Sequence, residues 1–197
     1  MCSSDLQGVM DACLRQLERW QVSRLYADGA LPVPGVYGVP GQWPHIARLY
    51  SDNGFVPAPD GTEILHLANL ADLPEPGEAP LQGLQVRRLV GINGTRLAAH
   101  LGETLVGYIE VEVLDATERH PRHGGLADIG NLWVIEDHRR SGVGTWLLRH
   151  AAHWLRLGHV DRLLNYAAPE QAAQIAFVER NRFSEVTRTR RGWERPV

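Results

Sequence analysis

An α/β fold is expected, with a mixed, mostly antiparallel sheet flanked by helices and preceded by a shorter unit of related design. Three observations in the sequence lead there. Residues 84–113 fall into three strand-like runs separated by tight turns, one of them Asn93-Gly94, which is a strong hairpin signal and marks an antiparallel meander. An apolar run to Val134, a cationic glycine-bearing turn and an amphipathic helix then follow one another directly. Two stretches of the first third of the chain echo two stretches near its end.

In chain order, Val9, Cys13, Leu17 and Trp20 recur at helical spacing, and Val22-Ser-Arg-Leu25 then enters a strand. A Pro/Gly-rich stretch at 29–42 precedes a second helix that runs from Ile46 to Asn53-Gly54-Phe55. Leu73-Pro-Glu-Pro-Gly-Glu-Ala-Pro80 reads as a connector with little capacity to bury surface, which places the domain boundary there, between 1–76 and 77–197. The meander occupies Leu84 to Val90, Arg96 to Leu101 and Thr104 to Val113. Residues 115–125 form a loop with His120 and His123 spaced i, i+3 about Pro121. No cysteine lies near them, so no metal is expected. Leu147, Leu148, Ala151 and Leu155 mark the helix after the glycine turn, Val160 opens a strand that carries Tyr166, and 171–183 is a final helix.

Composition narrows the class. The 197 residues are 44% apolar and 22% charged, as expected of a globular protein. The net charge of -3 argues against a nucleic-acid-binding face. Arg188, Arg190, Arg191 and Arg195 read as a solvated tail. Cys2 and Cys13 cannot staple the rest of the chain, and no apolar run is long enough to span a bilayer. A cytoplasmic protein without membrane or nucleic-acid partners is the expectation.

The turn Arg139-x-x-Gly142-x-Gly144 carries the chemistry. Two glycines let the backbone approach an anion, the first N–H groups of a helix are free to donate, and the helix dipole with Arg139 and Arg140 favours a polyanion. A nucleoside-triphosphatase loop is excluded because the chain has no lysine. A dinucleotide loop lacks its third glycine. The segment resembles instead the acetyl-CoA loop of the GNAT acyltransferase superfamily. Downstream, Gln171-Ala-Ala-Gln-Ile-Ala-Phe-Val-Glu-Arg-Asn-Arg-Phe183 stands where that family has a helix reading Asn-x-x-Ala-x-x-Phe-Tyr-x-x-x-Gly-Phe. Gln171, Gln174, Val178 and Arg182 depart from its asparagine, alanine, tyrosine and glycine. The resemblance implies that Trp133 and Val134 face the pantetheine arm of acetyl-CoA, and that Arg139, Arg140, Ser141, Gly142, Val143, Gly144 and Thr145 surround the pyrophosphate.

The echo pairs Val22-Ser-Arg-Leu25 with Val160-Asp-Arg-Leu163, and residues 46–55 with residues 174–183. The first copy keeps the family's tyrosine and glycine as Tyr50 and Gly54, but subtracting the offset leaves it no phosphate loop. It resembles the back half of an acyltransferase domain, whose exposed edge calls for packing on the complete copy or on a second chain as a homodimer. The two helices that separate the family's first strands are reduced to 91–95, which opens the acceptor pocket. Acyl transfer to an amine needs a base, and the resemblance implies one at Asp128, since some members of that family carry a base at this spacing. Strict alternation would put 128, 130, 132 and 134 on one side. Glu110 and Glu112 read as a solvated face, and Tyr166 as a substitute for the tyrosine that Val178 displaces. The implied activity is transfer of an acetyl group from acetyl-CoA to a primary amine of a small molecule or protein. The alternatives are an acyl-CoA-binding sensor or scaffold without turnover and a structural partner that completes another chain's sheet.

Overall fold

A computed structural model describes residues 3–27, 36–92, 94–114 and 125–196. Asn93, most of the loop with His120 and His123, residues 28–35 and Cys2 lie outside them. The chain forms two compact units, Met1–Ile64 with Thr187–Val197, and Leu65–Val186.

In the first unit, α1 (Ser3–Arg19) leads to β1 (Leu25–Ala27), β2 (Val39–Pro40) and α2 (Pro44–Asp52). The chain returns here at its end: β9 (Ser184–Arg190) pairs antiparallel with β2 through Val39↔Arg190, and β10 (Trp193–Arg195) pairs with β1 through Tyr26↔Glu194. Leu25, Val39, Phe55 and Trp193 form the core, with Met10, Leu14, Leu17 and Tyr50 against it. The Tyr50 ring stands edge-on to Trp193 at 5.4 Å, a favoured aromatic geometry. Two expectations are corrected here. The packed face of α1 is Met10, Leu14 and Leu17, while Val9, Cys13 and Trp20 are exposed. The C-terminal arginines are not a tail: Arg191 bonds Glu63 at 3.0 Å and lies 5.2 Å over the Tyr37 ring, between two paired strands.

The second unit holds the meander. β3 (Thr62–Asn69) runs into it, followed by β4 (Leu84–Val90), β5 (Thr95–Leu101), β6 (Thr104–Val113) and β7 (Gly125–Val134). Then come α3 (Val143–Leu157), β8 (Val160–Ala167) and α4 (Ala172–Arg180). From β3 outward the order is β3-β8-β7-β6-β5-β4. Each neighbouring pair from β4 to β7 is antiparallel, and β7 with β8 is parallel because α3 carries the chain back across the sheet. α3 buries Val143, Trp146, Leu147, Ala151 and Leu155 at i, i+3/i+4 spacing, and the core also takes in Ile109, Val111, Ala127, Leu163 and Val178.

The proline-rich segment is not a free connector. Leu70 and Leu73 are buried, Arg156 donates to their carbonyls at 2.7 and 3.0 Å, and Trp146 Nε1 donates to Gly77 O at 3.3 Å. Its prolines remove backbone donors, while its leucines and carbonyls bind it along α3. The compact units themselves divide between Ile64 and Leu65, with Thr187–Val197 returning to the first.

The two helices of the sequence echo end alike. Asn53 and Asn181 each donate their side-chain amide to the carbonyl four residues back, Leu49 O and Phe177 O, both at 2.8 Å. The next residues, Gly54 and Arg182, are left-handed at φ +81° and +67°. Gln21 and His159, the residues before Val22 and Val160, are left-handed as well, at φ 51° and 58°.

One buried group carries an unmet cost. His66 on β3 is 0% exposed, and neither ring nitrogen has a hydrogen-bond partner among the described residues. A buried unpaired donor costs about 1–3 kcal/mol. His66→Leu, similar in volume and apolar, is expected to raise the unfolding midpoint in thermal or urea denaturation; a fall would show that the ring has a partner in solution.

Candidate active site

The meander presents one polar face, built row by row from its register. The first row is Arg87, Ala98, Tyr108 and Trp133; the second is Leu89, Arg96, Glu110 and Asn131; the third pairs Glu112 with Asp128. Strict alternation along β7 does not hold. The partners of Glu110 and Val111 are Asn131 and Ile129, so Gly130 is an extra residue, a β-bulge that turns the strand over. Asp128 therefore shares its face with Asn131 and Trp133, while Leu132 and Val134 pack with Ile129 on the core side. Trp133 and Val134 thus diverge. The Trp133 ring lies 5.8 Å from Tyr108, which accepts a hydrogen bond from Asn131 Nδ2 at 3.1 Å.

Glu110 is not part of a solvated face. It is 5% exposed, and its Oε1 accepts from Arg96 Nε at 2.8 Å and from the Ile92 N–H at 3.2 Å. Gly91 makes room for it, since a Cβ there would lie 2.6 Å from that oxygen. Arg96 also lies 4.4 Å over the Tyr108 ring. The second row is thus internally neutralised.

The third row is not. Glu112 is exposed and directly opposite Asp128, whose Oδ1 is buried without a hydrogen-bond partner among the described residues. Burial, and then the neighbouring Glu112 charge, push the Asp128 carboxyl up to about 6. Glu112→Gln removes the second cause and leaves the first. The Asp128 titration followed by carboxyl NMR is expected to move down yet stay above the usual aspartate range; an unmoved or raised titration would contradict this assignment of causes.

The glycine turn follows β7 directly. Arg140 and Gly142 are left-handed, at φ 65° and +92°, and together they reverse the chain into α3. Ser141 Oγ donates to His138 O at 2.6 Å, which braces the turn. The first helical hydrogen bond is Trp146 N–H to Gly142 O at 3.0 Å, and no side chain caps the helix. The N–H groups of Val143, Gly144 and Thr145 are therefore left without a protein acceptor among the described residues, at the positive end of a 15-residue helix. Gly144 keeps the approach narrow but open: a Cβ there would meet Phe177 Cε2 at 3.4 Å. Arg139 folds back so that its Nε donates to Val134 O at 3.1 Å, which links the loop to the end of β7.

β7 and β8 pair from Gly125↔Val160 to Asp128↔Leu164, with a shift of one residue between Gly125 and Leu126, and the rungs end at Asp128. Tyr166 lies two residues beyond Leu164 and so on the same side of β8, the side that Asp128 takes on β7. It is half-buried. Val178, in place of the family's tyrosine, is 1% exposed within the core. Arg182, in place of the glycine, holds the left-handed conformation that a glycine adopts freely, and it donates to Asp72 O at 2.7 Å. The exposed side chain of Gln171 folds back to accept from Ala168 N at 2.7 Å. The bulge at Gly130 and the Arg96–Glu110 pair were missed from sequence. The glycine inside a strand pattern was the available signal for the first.

No group of three or more potential metal ligands occurs among the described residues, and no helix among them is long and apolar enough to cross a membrane. Compared with known proteins, the fold is similar to a tandem GNAT protein from the clavulanic acid biosynthesis pathway, at 17% identity and a TM-score of 0.69 over 95% of this chain and 69% of that one. It is also similar to a GCN5-related N-acetyltransferase from Kribbella flavida, at 9% identity and 0.63 over 100% and 77%. A Drosophila protein aligns at 13% identity and 0.54 over 81% of this chain, which spans 59% of that protein's length. At such identities the likeness is one of fold. No curated protein matches significantly. The sequence profile of the Acetyltransferase (GNAT) family matches residues 47–183, from within α2 through the meander and the glycine turn to the end of the α4 motif. With more than half of its length matched, the chain belongs to the GNAT acetyltransferase family.

Proposed function

We propose that this protein transfers an acetyl group from acetyl-CoA to a primary amine. The observation that carries this reading is the start of α3, where three adjacent N–H groups without an acceptor among the described residues lie at a turn opened by Gly142 and flanked by Arg139 and Arg140. A pyrophosphate fits that donor set. Arg139 to Thr145 would hold it, and the edge of β7 beyond Asp128, free of rungs to β8, offers backbone groups to the pantetheine amides much as a sheet edge accepts another strand. When bound, acetyl-CoA supplies the activated acyl group.

The chain's own residues do the rest. Asp128, titrating near 6, is ionised at neutral pH and takes a proton from the acceptor's ammonium, directly or through a water. The free amine then forms the new C–N bond as the C–S bond breaks, the Tyr166 hydroxyl protonates the departing sulfur, and the second proton lost by the new amide nitrogen returns to the Tyr166 oxygen while Asp128 releases the first to water. Because only a short turn joins β4 and β5, the acceptor meets an open face bearing Asp128, Glu112, Trp133 and Tyr108, rather than a pocket walled by helices. The repeated helix endings at Asn53 and Asn181 support a second inference, that the segment around α2 and the segment around α4 are related copies of one helix-to-strand unit.

Isothermal titration with acetyl-CoA, followed by thiol release in the presence of an amine library, tests the reading. Micromolar binding with thiol release on one or more amines supports it. Val178 favours a second reading, a binder without turnover, because the residue offers no proton to a thiolate; binding with no thiol release on any amine would select it. No binding would overturn both.

A further inference from the structure

Past the last rung between β7 and β8 lies a buried polar group that the proposed chemistry leaves unused. Asn165 is the first residue of β8 past its last rung to β7, and it is 2% exposed. Its orientation is fixed by a chain of hydrogen bonds. Gln174 on α4 donates Nε2 to the backbone Tyr166 O at 2.9 Å, which only the amide nitrogen can do. The same Nε2 reaches Asn165 Oδ1 at 3.1 Å, so the Asn165 oxygen faces α4. Asn165 Nδ2 is thereby left buried with no acceptor among the described residues.

Such a donor costs about 1–3 kcal/mol unless something outside the chain accepts from it. Alternation along β8 puts Asn165 on the side of Leu163, the core side that also carries α3 and Phe177, where the glycine turn begins. We propose that Asn165 is a positioning residue for the acyl donor: its Nδ2 donates to a carbonyl oxygen of the pantetheine arm threaded between β7 and β8. Gln174, where the family pattern has alanine, is the residue that holds it in place. This inference rests on the acetyl-CoA reading above.

The test compares two ligands on the full chain. Wild type, Asn165→Leu and Asn165→Ala are titrated calorimetrically with acetyl-CoA and with adenosine 3′,5′-bisphosphate, which carries no arm. Both variants are expected to bind acetyl-CoA about 10-fold more weakly, about 1.4 kcal/mol, with the bisphosphate unchanged. Asn165→Leu is also expected to raise the melting temperature, because it removes the orphaned donor, so the lost affinity cannot come from a damaged fold. Unchanged acetyl-CoA affinity in both variants, or equal losses for the two ligands, would overturn the proposal. If wild type binds the bisphosphate but gains nothing from the arm, Asn165 is refuted while the anion seat stands. If wild type binds neither ligand, the acetyl-CoA reading fails and the proposal falls with it.

Discussion

Gly142→Asp is expected to weaken acetyl-CoA binding by about 100- to 1,000-fold, since a carboxylate within about 4 Å of a pyrophosphate charge is repelled by several kcal/mol even at an effective dielectric near 20. Two other effects accompany the substitution and must be separated from the charge. Gly142 has φ +92°, which strains most side chains, and a Cβ there would meet Pro80 at 3.2 Å. Gly142→Asn shares both, has nearly the same shape, and is neutral. The ratio of the two dissociation constants therefore reads the charge alone, while both variants should lose a similar stability of about 1 kcal/mol. Gly144→Asp is a third measure with a different side effect: an acid in the first turn of α3 complements the helix dipole, so the fold is kept while the anion seat is filled. Near-equal affinities for Gly142→Asp and Gly142→Asn would contradict a phosphate at this turn.

Asp128→Asn is expected to lower kcat/KM by about 100- to 10,000-fold, the usual worth of a general base, and to stabilise the fold at neutral pH. The opposite signs have one origin. Asp128 titrates near 6 in the folded protein, against a usual value of 3.8. Between those values the folded state binds the proton more tightly than the unfolded chain, so stability is highest below pH 3.8 and falls as pH rises through about 6. At pH 7 the ionised, half-buried carboxylate costs on the order of 2 kcal/mol, which asparagine does not incur. Activity in the wild type should instead rise with pH through an inflection near 6 as the base is uncovered, and the variant should lose that inflection. A rise in melting temperature with unchanged kcat/KM would leave Asp128 a strained structural residue and nothing more. A fall in melting temperature would show that the carboxylate has a partner in solution.

What the sequence discloses about this molecule is what is encoded locally. The glycine turn is legible because its two glycines, its arginines and the helix that follows lie within a few residues of one another. The meander is legible through Asn93-Gly94 and alternation. Gly130 shows the limit of that reasoning: a bulge is a property of how β7 pairs with β6, so it leaves only a glycine as its trace, yet it decides which side chains join Asp128. α1 failed for a different reason. Two apolar stripes share Leu17, and the choice between them is made by Trp193 and Phe55, which are distant in sequence. The arginines at 188–195 read as a tail because their strand partners, Val39 and Leu25, lie some 150 to 170 residues earlier. The proline-rich segment is held by hydrogen bonds from Arg156 and Trp146, partners that no composition rule points to.

The most direct test of the anion seat is an amide NMR titration with coenzyme A. The N–H signals of Gly142, Val143, Gly144 and Thr145 should shift together and saturate, with shifts along β7 toward Asp128 and none at α2. Saturating coenzyme A that leaves those four signals unmoved would contradict the account.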